Sequence, residues 1–285
     1  MKKLLSLASL SFIAILLAPS ATFAAKPAGT GSGSGATPLV EYAGYDISYP
    51  QCGKKLPTDQ YFGIVGVNGG TAASYNKCLP EQLAWATKSK SGFETHQDKT
   101  QLYVNTANPA ADTAYDWKSW PTSGNTPYGS CEGVHKNNEA CSWQYGWNRS
   151  AEAAAYFVSK ATVAGISSNT ADYTWWLDVE TMNSWQTGSD DALSRNRAAL
   201  EGFAAYYQYK TARVGLYSTE YQWGTIVGKN LITDGNLAGL PNWRPGGANL
   251  ATAKSACSAS PLTTGGYVSL TQYVSKNLDY NHSCV

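Results

Sequence analysis

The sequence predicts an α/β fold, in which a single disulfide-bonded domain closes into a barrel. Three observations predict it. Strand-like apolar runs alternate with helix-like segments along the chain, which is typical of a parallel sheet. From residue 39 to 285 no low-complexity break appears, which leaves about 245 residues, a length that one α/β barrel can occupy. Six cysteines, an even number, indicate an oxidising compartment.

The first 40 residues do not read as part of the barrel. Lys2 and Lys3 precede an apolar run over 4–18 and small residues ending at Ala24, which together predict a secretory signal peptide over 1–24. An uncleaved membrane anchor is the alternative, but the run is short for a span of about 20 residues. Residues 25–40, rich in Gly, Ser, Ala and Thr, predict a flexible linker. We therefore expect an exported protein, free of the membrane after cleavage, with a barrel domain over 41–285.

The first half of the domain contains three predicted strands and one helix. The strands are predicted over 42–49, 62–67 and 101–106. The helix is predicted over 79–90, because Pro80 suits a first turn and Glu81 is favourable near the positive end of the helix dipole. Residues 108–143, rich in Pro, Gly, Ser and Trp, predict a long loop, which is usually functional or an insertion.

The second half continues the alternation. A helix is predicted over 150–164 with Ser150 as its cap, and another over 192–209 from its helical spacing of apolar residues. Strands are predicted over 173–180, 213–218, 242–243 and 266–274. In a closed parallel barrel the active site lies at the carboxyl ends of the strands, so we expect the functional residues at these ends.

The cysteines favour disulfides over a metal site. No C-x-x-C motif is present, and the three histidines, His96, His135 and His282, lie far apart in the sequence. We therefore expect neither a metal nor a cofactor. Six cysteines permit 15 pairings, and we favour the sequentially nearest one, in which each bond closes a local loop: Cys52–Cys78, Cys131–Cys141 and Cys257–Cys284.

The composition bears on the partner. The net charge is +1, and no basic patch is present to attract nucleic acid or anionic lipid. Ten tryptophans and nineteen tyrosines supply flat amphipathic rings that can stack on sugar faces, but core filling and surface tyrosines of an exported protein explain most of them. We expect a monomer whose partner is a polysaccharide.

Asp178 and Glu180 are the main candidates for chemistry. They are two residues apart on a predicted strand, so both side chains point to the same side. Like charges held close in a buried site push one pKa upward, and a protonated acid beside an ionised partner is what glycoside hydrolysis requires. An exposed strand end with two solvated carboxylates is the alternative. The apolar residues that precede them favour the catalytic interpretation.

Two further acids lie near the ends of predicted strands. Asp46 is near the end of the first strand, and Asp279 just past the last. Because the first and last strands of a closed barrel are neighbours, these acids are expected to converge on the same cleft. Taken singly, each is better explained as a turn or capping residue.

Four segments carry a resemblance to a known family. Their motifs and order resemble those of family 25 glycoside hydrolases, lysozymes that cut the β-1,4 link between N-acetylmuramic acid and N-acetylglucosamine, and the chain is most similar to secreted bacterial glycoside-hydrolase-like domains of unsettled substrate. The resemblance spans nearly all of the mature domain. The segments are Gly44-Tyr-Asp-Ile-Ser-Tyr-Pro-Gln51, Leu177-Asp-Val-Glu180, Gly215-Leu-Tyr-Ser218 and Thr271-Gln-Tyr273 followed by Leu278-Asp-Tyr-Asn281.

The resemblance implies an irregular TIM-like barrel, described for the family as (β/α)5(β)3, and a role for each acid. Glu180 would be the general acid, and Asp178 would stabilise or orient the reacting sugar. Asp46 and Asp279 would complete an acidic floor that positions water or raises the pKa of Glu180. Tyr217 and Gln272 would line the cleft, with Trp176 and Trp185 as sugar platforms, while plain packing is the alternative for these four residues: Tyr217, Gln272, Trp176 and Trp185.

The sequence also departs from the family. Val67-Asn-Gly-Gly70 stands where many members have an Ala-Thr-Glu-Gly type segment, and the stretch 108–143 has no counterpart in the compact lysozymes. The leading interpretation is an exported glycoside hydrolase that acts on peptidoglycan or a related amino-sugar polymer. A non-catalytic glycan-binding or cell-envelope protein on the same barrel is the second, since fold does not fix function. Serine hydrolase and metalloenzyme motifs of the G-x-S-x-G and H-E-x-x-H types are not found.

Overall fold

A barrel of eight strands forms the centre of the molecule. The structure is a computed structural model that describes residues 42–90, 95–110 and 119–285. The predicted signal peptide and linker therefore lie outside the described residues. The strands, in chain order, are β1 (Gly44–Ile47), β2 (Gly63–Gly66), β3 (Thr100–Asn105), β4 (Ser123–Thr126), β5 (Gly129–Glu132), β6 (Thr174–Asp178), β7 (Arg213–Tyr217), β8 (Pro241–Gly247), β9 (Tyr267–Ser275) and β10 (Leu278–Ser283).

The strand order around the barrel is β1-β10-β9-β8-β7-β6-β3-β2, and the remaining strands, β4 and β5, form a separate hairpin. Neighbours from β1 through β2, β3, β6, β7 and β8 to β9 are parallel. The predicted α/β barrel is confirmed. The expectation of a wholly parallel sheet is wrong at one strand, because β10 returns by a tight turn from β9 and is antiparallel to both β9 and β1.

Five helices pack on the outside: α1 (Leu79–Ala86), α2 (Glu139–Ala164), α3 (Asp190–Tyr209), α4 (Glu220–Val227) and α5 (Leu250–Ala256). The prediction for α2 is wrong at its start, because the helix begins eleven residues before Ser150. Asn138 caps it by accepting a hydrogen bond from the Cys141 amide. The predicted long loop 108–143 therefore contains the first turns of α2 and the β4–β5 hairpin. Neither α4, α5 nor β10 was predicted.

The contact between α2 and α3 depends on two glycines. A Cβ atom at Gly146 would lie 2.0 Å from the Ala199 carbonyl oxygen, and one at Gly202 would lie 1.9 Å from the Trp143 carbonyl oxygen. Real side chains do not tolerate such distances, so glycine at both positions lets the two helix backbones touch. This close packing extends the layer that supports β6, the strand that carries Asp178.

The side chains of each strand alternate between two apolar layers. Five residues from four sides of the barrel pack together in its interior: Phe62, Ile64, Trp176, Trp243 and Leu270. A larger cluster fills the space between the strands and the helices and includes Ile47, Val65, Leu102, Trp175 and Leu216. The interior layer forms the base on which the polar residues at the carboxyl ends of the strands rest.

The three predicted disulfides are confirmed: Cys52–Cys78, Cys131–Cys141 and Cys257–Cys284. The first joins the segment after β1 to the start of α1, the second joins the hairpin to α2, and the third joins the end of α5 to the segment after β10. Each crosslink removes loop-closure entropy from the unfolded chain. Over the described residues, no helix is long and apolar enough to cross a membrane.

Candidate functional site: an acidic cleft at the carboxyl ends of the strands

The barrel brings the four predicted acids to one place. Asp46, Asp178, Glu180 and Asp279 all line a single cleft of about 360 Å³, called the acidic cleft below. Asp178 is the last residue of β6, and Glu180 lies two residues beyond the strand end. Because i and i+2 in an extended segment face the same way, both carboxyls enter the cleft.

The position predicted for Asp279, just past the last strand, is wrong. Asp279 lies within β10 and is the direct cross-strand partner of Asp46 on β1. Because β10 is antiparallel, its first residues lie at the end of the barrel where the parallel strands finish. The carboxyl therefore reaches the cleft although it stands at the beginning of its strand.

Asp46 is buried and held by two amide donors. Its Oδ1 accepts hydrogen bonds from Gln272 Nε2 at 3.0 Å and from Asn281 Nδ2 at 2.7 Å. These bonds favour the ionised carboxylate, but burial and the nearby Asp279 act against it more strongly and raise the pKa of Asp46 to about 8. Burial and the charge of Asp279 therefore favour the protonated form of Asp46.

Asp178 is also buried, and one of its oxygens lacks a partner. Asn105 Nδ2 donates to Oδ2 at 2.6 Å, while Oδ1 accepts no hydrogen bond from any described residue. Burial first, and then the charges of Glu180 and Asp46, raise the pKa of Asp178 well above its usual value. Asn105 and Asp178 are paired in register on β3 and β6, so the sheet itself sets this hydrogen bond.

Glu180 is less buried than Asp178. Burial raises the pKa of Glu180 and the charge of Asp279 raises it further, while a hydrogen bond from Gln222 lowers it. The backbone around it is fixed on both sides: Trp185 Nε1 donates to the Glu180 carbonyl at 2.9 Å, and Ser218 Oγ donates to the Val179 carbonyl at 2.7 Å. The carboxyl thus projects from a braced segment.

Tyr217 and Gln272 line the cleft as predicted. The Tyr217 hydroxyl donates to Gln272 Oε1 at 2.9 Å, and the same amide donates through Nε2 to Asp46. Burial and the surrounding carboxyls raise the pKa of Tyr217, so its phenol stays protonated. A hydrogen-bonded chain therefore runs from Tyr217 on β7 to Asp46 on β1, across the mouth of the barrel.

Neither Trp176 nor Trp185 lines the acidic cleft, and the prediction that they form sugar platforms there is wrong. Trp176 is 1% exposed inside the barrel, where its ring contacts Trp243 and its Nε1 donates to Gln101 at 2.6 Å. Trp176 lies two residues before Asp178 on the same face of β6, one layer deeper in the barrel, and therefore supports the floor of the cleft. Trp185 packs against the outer apolar cluster and reaches the site only through the Glu180 carbonyl.

Sequence reasoning missed several residues of the cleft. Asn105 ends β3 as Asp178 ends β6, so the rule that strand ends carry the site would have found it, but an uncharged amide did not draw attention. The contact of Asn281 with Asp46 depends on β10, a strand that the sequence pattern does not predict. Tyr103, Tyr49 and Trp243 complete the aromatic walls.

The arrangement has clear chemical consequences. Four carboxyls share a small, largely desolvated space, so they cannot all be ionised at once, and the cleft retains protons near neutral pH. Over the described residues, no cluster of histidine, cysteine, aspartate or glutamate has the arrangement of a metal site. Proton transfer and hydrogen bonding are the chemistry that these side chains provide.

The fold and the site together define an α/β barrel with a four-carboxyl cleft at its carboxyl end. No family model and no curated protein matches the sequence. Among solved structures, a muramidase from Trichobolus zukalii is 16% identical, with a TM-score of 0.49, over 85% of this chain and 92% of that one.

A second solved structure belongs to a longer protein. The modular autolysin LytC from Streptococcus pneumoniae, solved in complex with a synthetic peptidoglycan ligand, is 13% identical with a TM-score of 0.45. The match covers 84% of this chain and 46% of the autolysin, so this chain spans less than half of that protein. A functional proposal for this chain therefore rests on the residues of its own cleft.

Proposed function

We propose that this protein is an exported glycoside hydrolase that cleaves peptidoglycan or a related amino-sugar polymer. The observation that carries the proposal is the convergence of Asp46, Asp178, Glu180 and Asp279 on one cleft. Glycoside hydrolysis needs a proton donor for the leaving oxygen and a second carboxyl at the reacting sugar, and this cleft supplies both.

Glu180 is the general acid of this proposal. It is the member of the Asp178–Glu180 pair that is nearer to solvent, so a glycosidic oxygen in the cleft reaches it first. Its pKa is already raised in the free protein, and a sugar that displaces water from the cleft raises it further by desolvation. A carboxylic acid that stays protonated at working pH can deliver the proton that the departing sugar requires.

Asp178 is the proposed partner that orients and stabilises the sugar. When Asp178 is ionised, as this role requires, its Oδ1 is a buried acceptor with no donor among the described residues, and such an atom costs free energy until it is satisfied. The acetamido N–H of an N-acetylated amino sugar is a donor of the required kind.

Asp46 and Asp279 act through their neighbours. Asp279 raises the pKa of Glu180, and Asp46, held by Gln272 and Asn281, closes the cleft floor. The aromatic walls supplied by Tyr103, Tyr217 and Trp243 give the sugar ring apolar contact. The three disulfides are consistent with an exported enzyme, since such bonds persist in oxidising compartments.

The second candidate function is a non-catalytic glycan-binding protein on the same barrel. The deep burial of Asp178 and Asp46 favours it, because carboxyls that remain protonated act as hydrogen-bond donors to sugar hydroxyls as readily as they act in catalysis. The two candidates differ in whether the polymer is cut, and one experiment separates them.

The experiment incubates purified mature protein with peptidoglycan and, separately, with chitin, and identifies soluble products by mass. Glu180→Gln should lower the rate by about 10²–10⁴-fold, since it removes the proton but keeps the shape of the side chain. Glu132→Gln, on the exposed hairpin strand β5, serves as the matched control and should keep the full rate.

Both variants should remain folded, as circular dichroism and a cooperative thermal transition would show, because neither position lies in the apolar core. A Glu180→Gln protein that cuts at the wild-type rate would end the assignment of the general acid. A wild-type protein that binds the polymer and releases no product would establish the glycan-binding alternative.

A further inference from the structure

A second cavity lies on the outer wall of the barrel, away from the acidic cleft. It has a volume of about 960 Å³ and is formed by α4, the segment that follows it, one residue of β8 and the segment before β9. It shares no lining residue with the acidic cleft. We call it the outer cavity, and its lining includes Glu220, Tyr221, Trp223, Lys229, Leu231 and Arg244.

Arg244 is the unusual residue of the outer cavity. Trp243 belongs to the cluster inside the barrel, so the alternation of β8 turns Arg244 to the outside. Arg244 is 8% exposed, and the structure gives its guanidinium one hydrogen bond, from Nη1 to the Ser260 carbonyl at 2.8 Å. Within the described part of the chain, no carboxylate lies within ion-pair distance of it.

Three other arginines of the chain have the ion pair that Arg244 lacks. Arg149, Arg197 and Arg213 each form an ion pair with an aspartate or glutamate. A buried cation is costly unless an anion or a full set of hydrogen bonds compensates it, and arginine cannot lose its proton to avoid the cost. Arg244 therefore keeps most of a fork of five donors available on the wall of an open cavity.

The remaining lining residues fit the same kind of ligand. Lys229 brings a second positive charge, and Glu220, which is exposed, is the single acid of the lining. Burial lowers the pKa of the Arg244 guanidinium, and the charge of Glu220 partly offsets this effect. Tyr221 and Leu231, 78% and 58% exposed, offer an apolar wall. Trp223 closes the inner side, and its indole N–H also lacks an acceptor among the described residues.

We propose that the outer cavity is a second binding site that takes a carboxylate-bearing organic ligand, with Arg244 as its bidentate anion partner. Planar carboxylates match the guanidinium fork, and the volume suits a molecule of the size of a disaccharide or short peptide. The proposal does not rest on the proposed hydrolysis, because none of its residues belongs to the acidic cleft. The carboxylate can come from a sugar acid or from a peptide terminus.

Titrations of the full mature chain with matched probes test the proposal. Glucuronate is compared with glucose, and alanyl-alanine with its C-terminal amide, using tryptophan fluorescence and calorimetry. At least one carboxylate should bind about tenfold more tightly than its neutral counterpart, since a charge-assisted bidentate contact distinguishes them. The pair that shows the difference identifies the source of the carboxylate. Equal binding of both members of each pair, or no binding at millimolar concentration, would overturn the proposal.

Variants locate the site. Arg244→Gln should weaken binding of the carboxylate probe about tenfold, Lys229→Gln should weaken it less, and Glu220→Gln should tighten it, because the last change removes a repelling charge. If Arg244→Gln does not fold, the opposite changes in affinity expected for Lys229→Gln and Glu220→Gln still test the proposal. A folded Arg244→Gln protein with wild-type affinity, or changes of the same sign at Lys229 and Glu220, would show that the ligand binds elsewhere.

Discussion

The acidic cleft and the outer cavity differ in how buried charge is compensated. The cleft places four like charges together and lowers the cost of their burial by protonation, as the raised pKa values of Asp46, Asp178 and Glu180 indicate. The outer cavity has a cation that cannot change its protonation state, so only a partner can compensate it. The cleft is therefore sensitive to pH, whereas the outer cavity should be sensitive to ligands.

The two regions also differ in how much of their structure depends on long-range pairing. Asp46 and Asp279 meet only because β1 and β10 close the barrel, whereas Arg244 faces the outer cavity through the alternation of a single strand. Variants at Asp279, Asp46 and Arg244 test this contrast.

The largest effect concerns activity and pH. If Glu180 donates the proton, kcat/KM should fall about tenfold for each pH unit above its raised pKa, since only the protonated form acts. Asp279→Asn should move this decline to lower pH, because the charge of Asp279 helps to raise the pKa of Glu180. The pH profiles of the wild type and Asp279→Asn give the comparison, with Asp190→Asn on the first turn of α3 as a surface control. Superimposable profiles of wild type and Asp279→Asn would separate Asp279 from the acid.

The limits of prediction from the sequence can be seen in the same residues. Asp178 and Glu180 were found because strand alternation is local, and two carboxyls after an apolar run are conspicuous. The nearest-neighbour disulfides were found because short loops favour local pairing. Asp279 was misplaced because β10 is antiparallel, a choice made by barrel closure and by a turn that carries no strong local signal.

The missed features share a physical cause. The sequence predicts a loop at the start of α2 because its first turns contain tryptophan and small residues, yet Asn138 caps the helix there and Gly146 packs closely against α3. The sequence pattern places Trp176 near the cleft because it comes shortly before Asp178. Strand alternation puts both side chains on the same face of β6, but Trp176 lies one layer deeper inside the barrel. Arg244 gave no signal, since the lack of a partner can be seen only in three dimensions.

The second effect concerns stability and pH. The pKa of Asp46 is raised from 3.8 to about 8 in the folded protein. Between these values the unfolded chain releases the proton and the folded chain keeps it, so stability falls as pH rises through this window, by up to about 1.4 kcal/mol per pH unit. Asp46→Asn keeps an acceptor for Gln272 and Asn281 and does not ionise.

The stability of Asp46→Asn relative to wild type should therefore increase from pH 4 to pH 8. Urea unfolding at several pH values measures it, and Asp190→Asn again provides the surface control. A constant difference between Asp46→Asn and wild type across this range would mean that Asp46 does not keep its proton in the fold.

The smallest effect is the change in stability at the outer cavity. Arg244→Met removes a buried cation that lacks a carboxylate, so it should be neutral or stabilising by about 1 kcal/mol, with no dependence on pH between 5 and 8. Arg197→Met is the matched contrast, because it leaves Glu201, which is 8% exposed, without its ion-pair partner and should destabilise by roughly 1–3 kcal/mol. Chemical unfolding of both variants decides the matter. A clear loss of stability in Arg244→Met would show that the bond to Ser260 outweighs the cost of the buried charge, and the guanidinium would then be explained by the fold without a ligand.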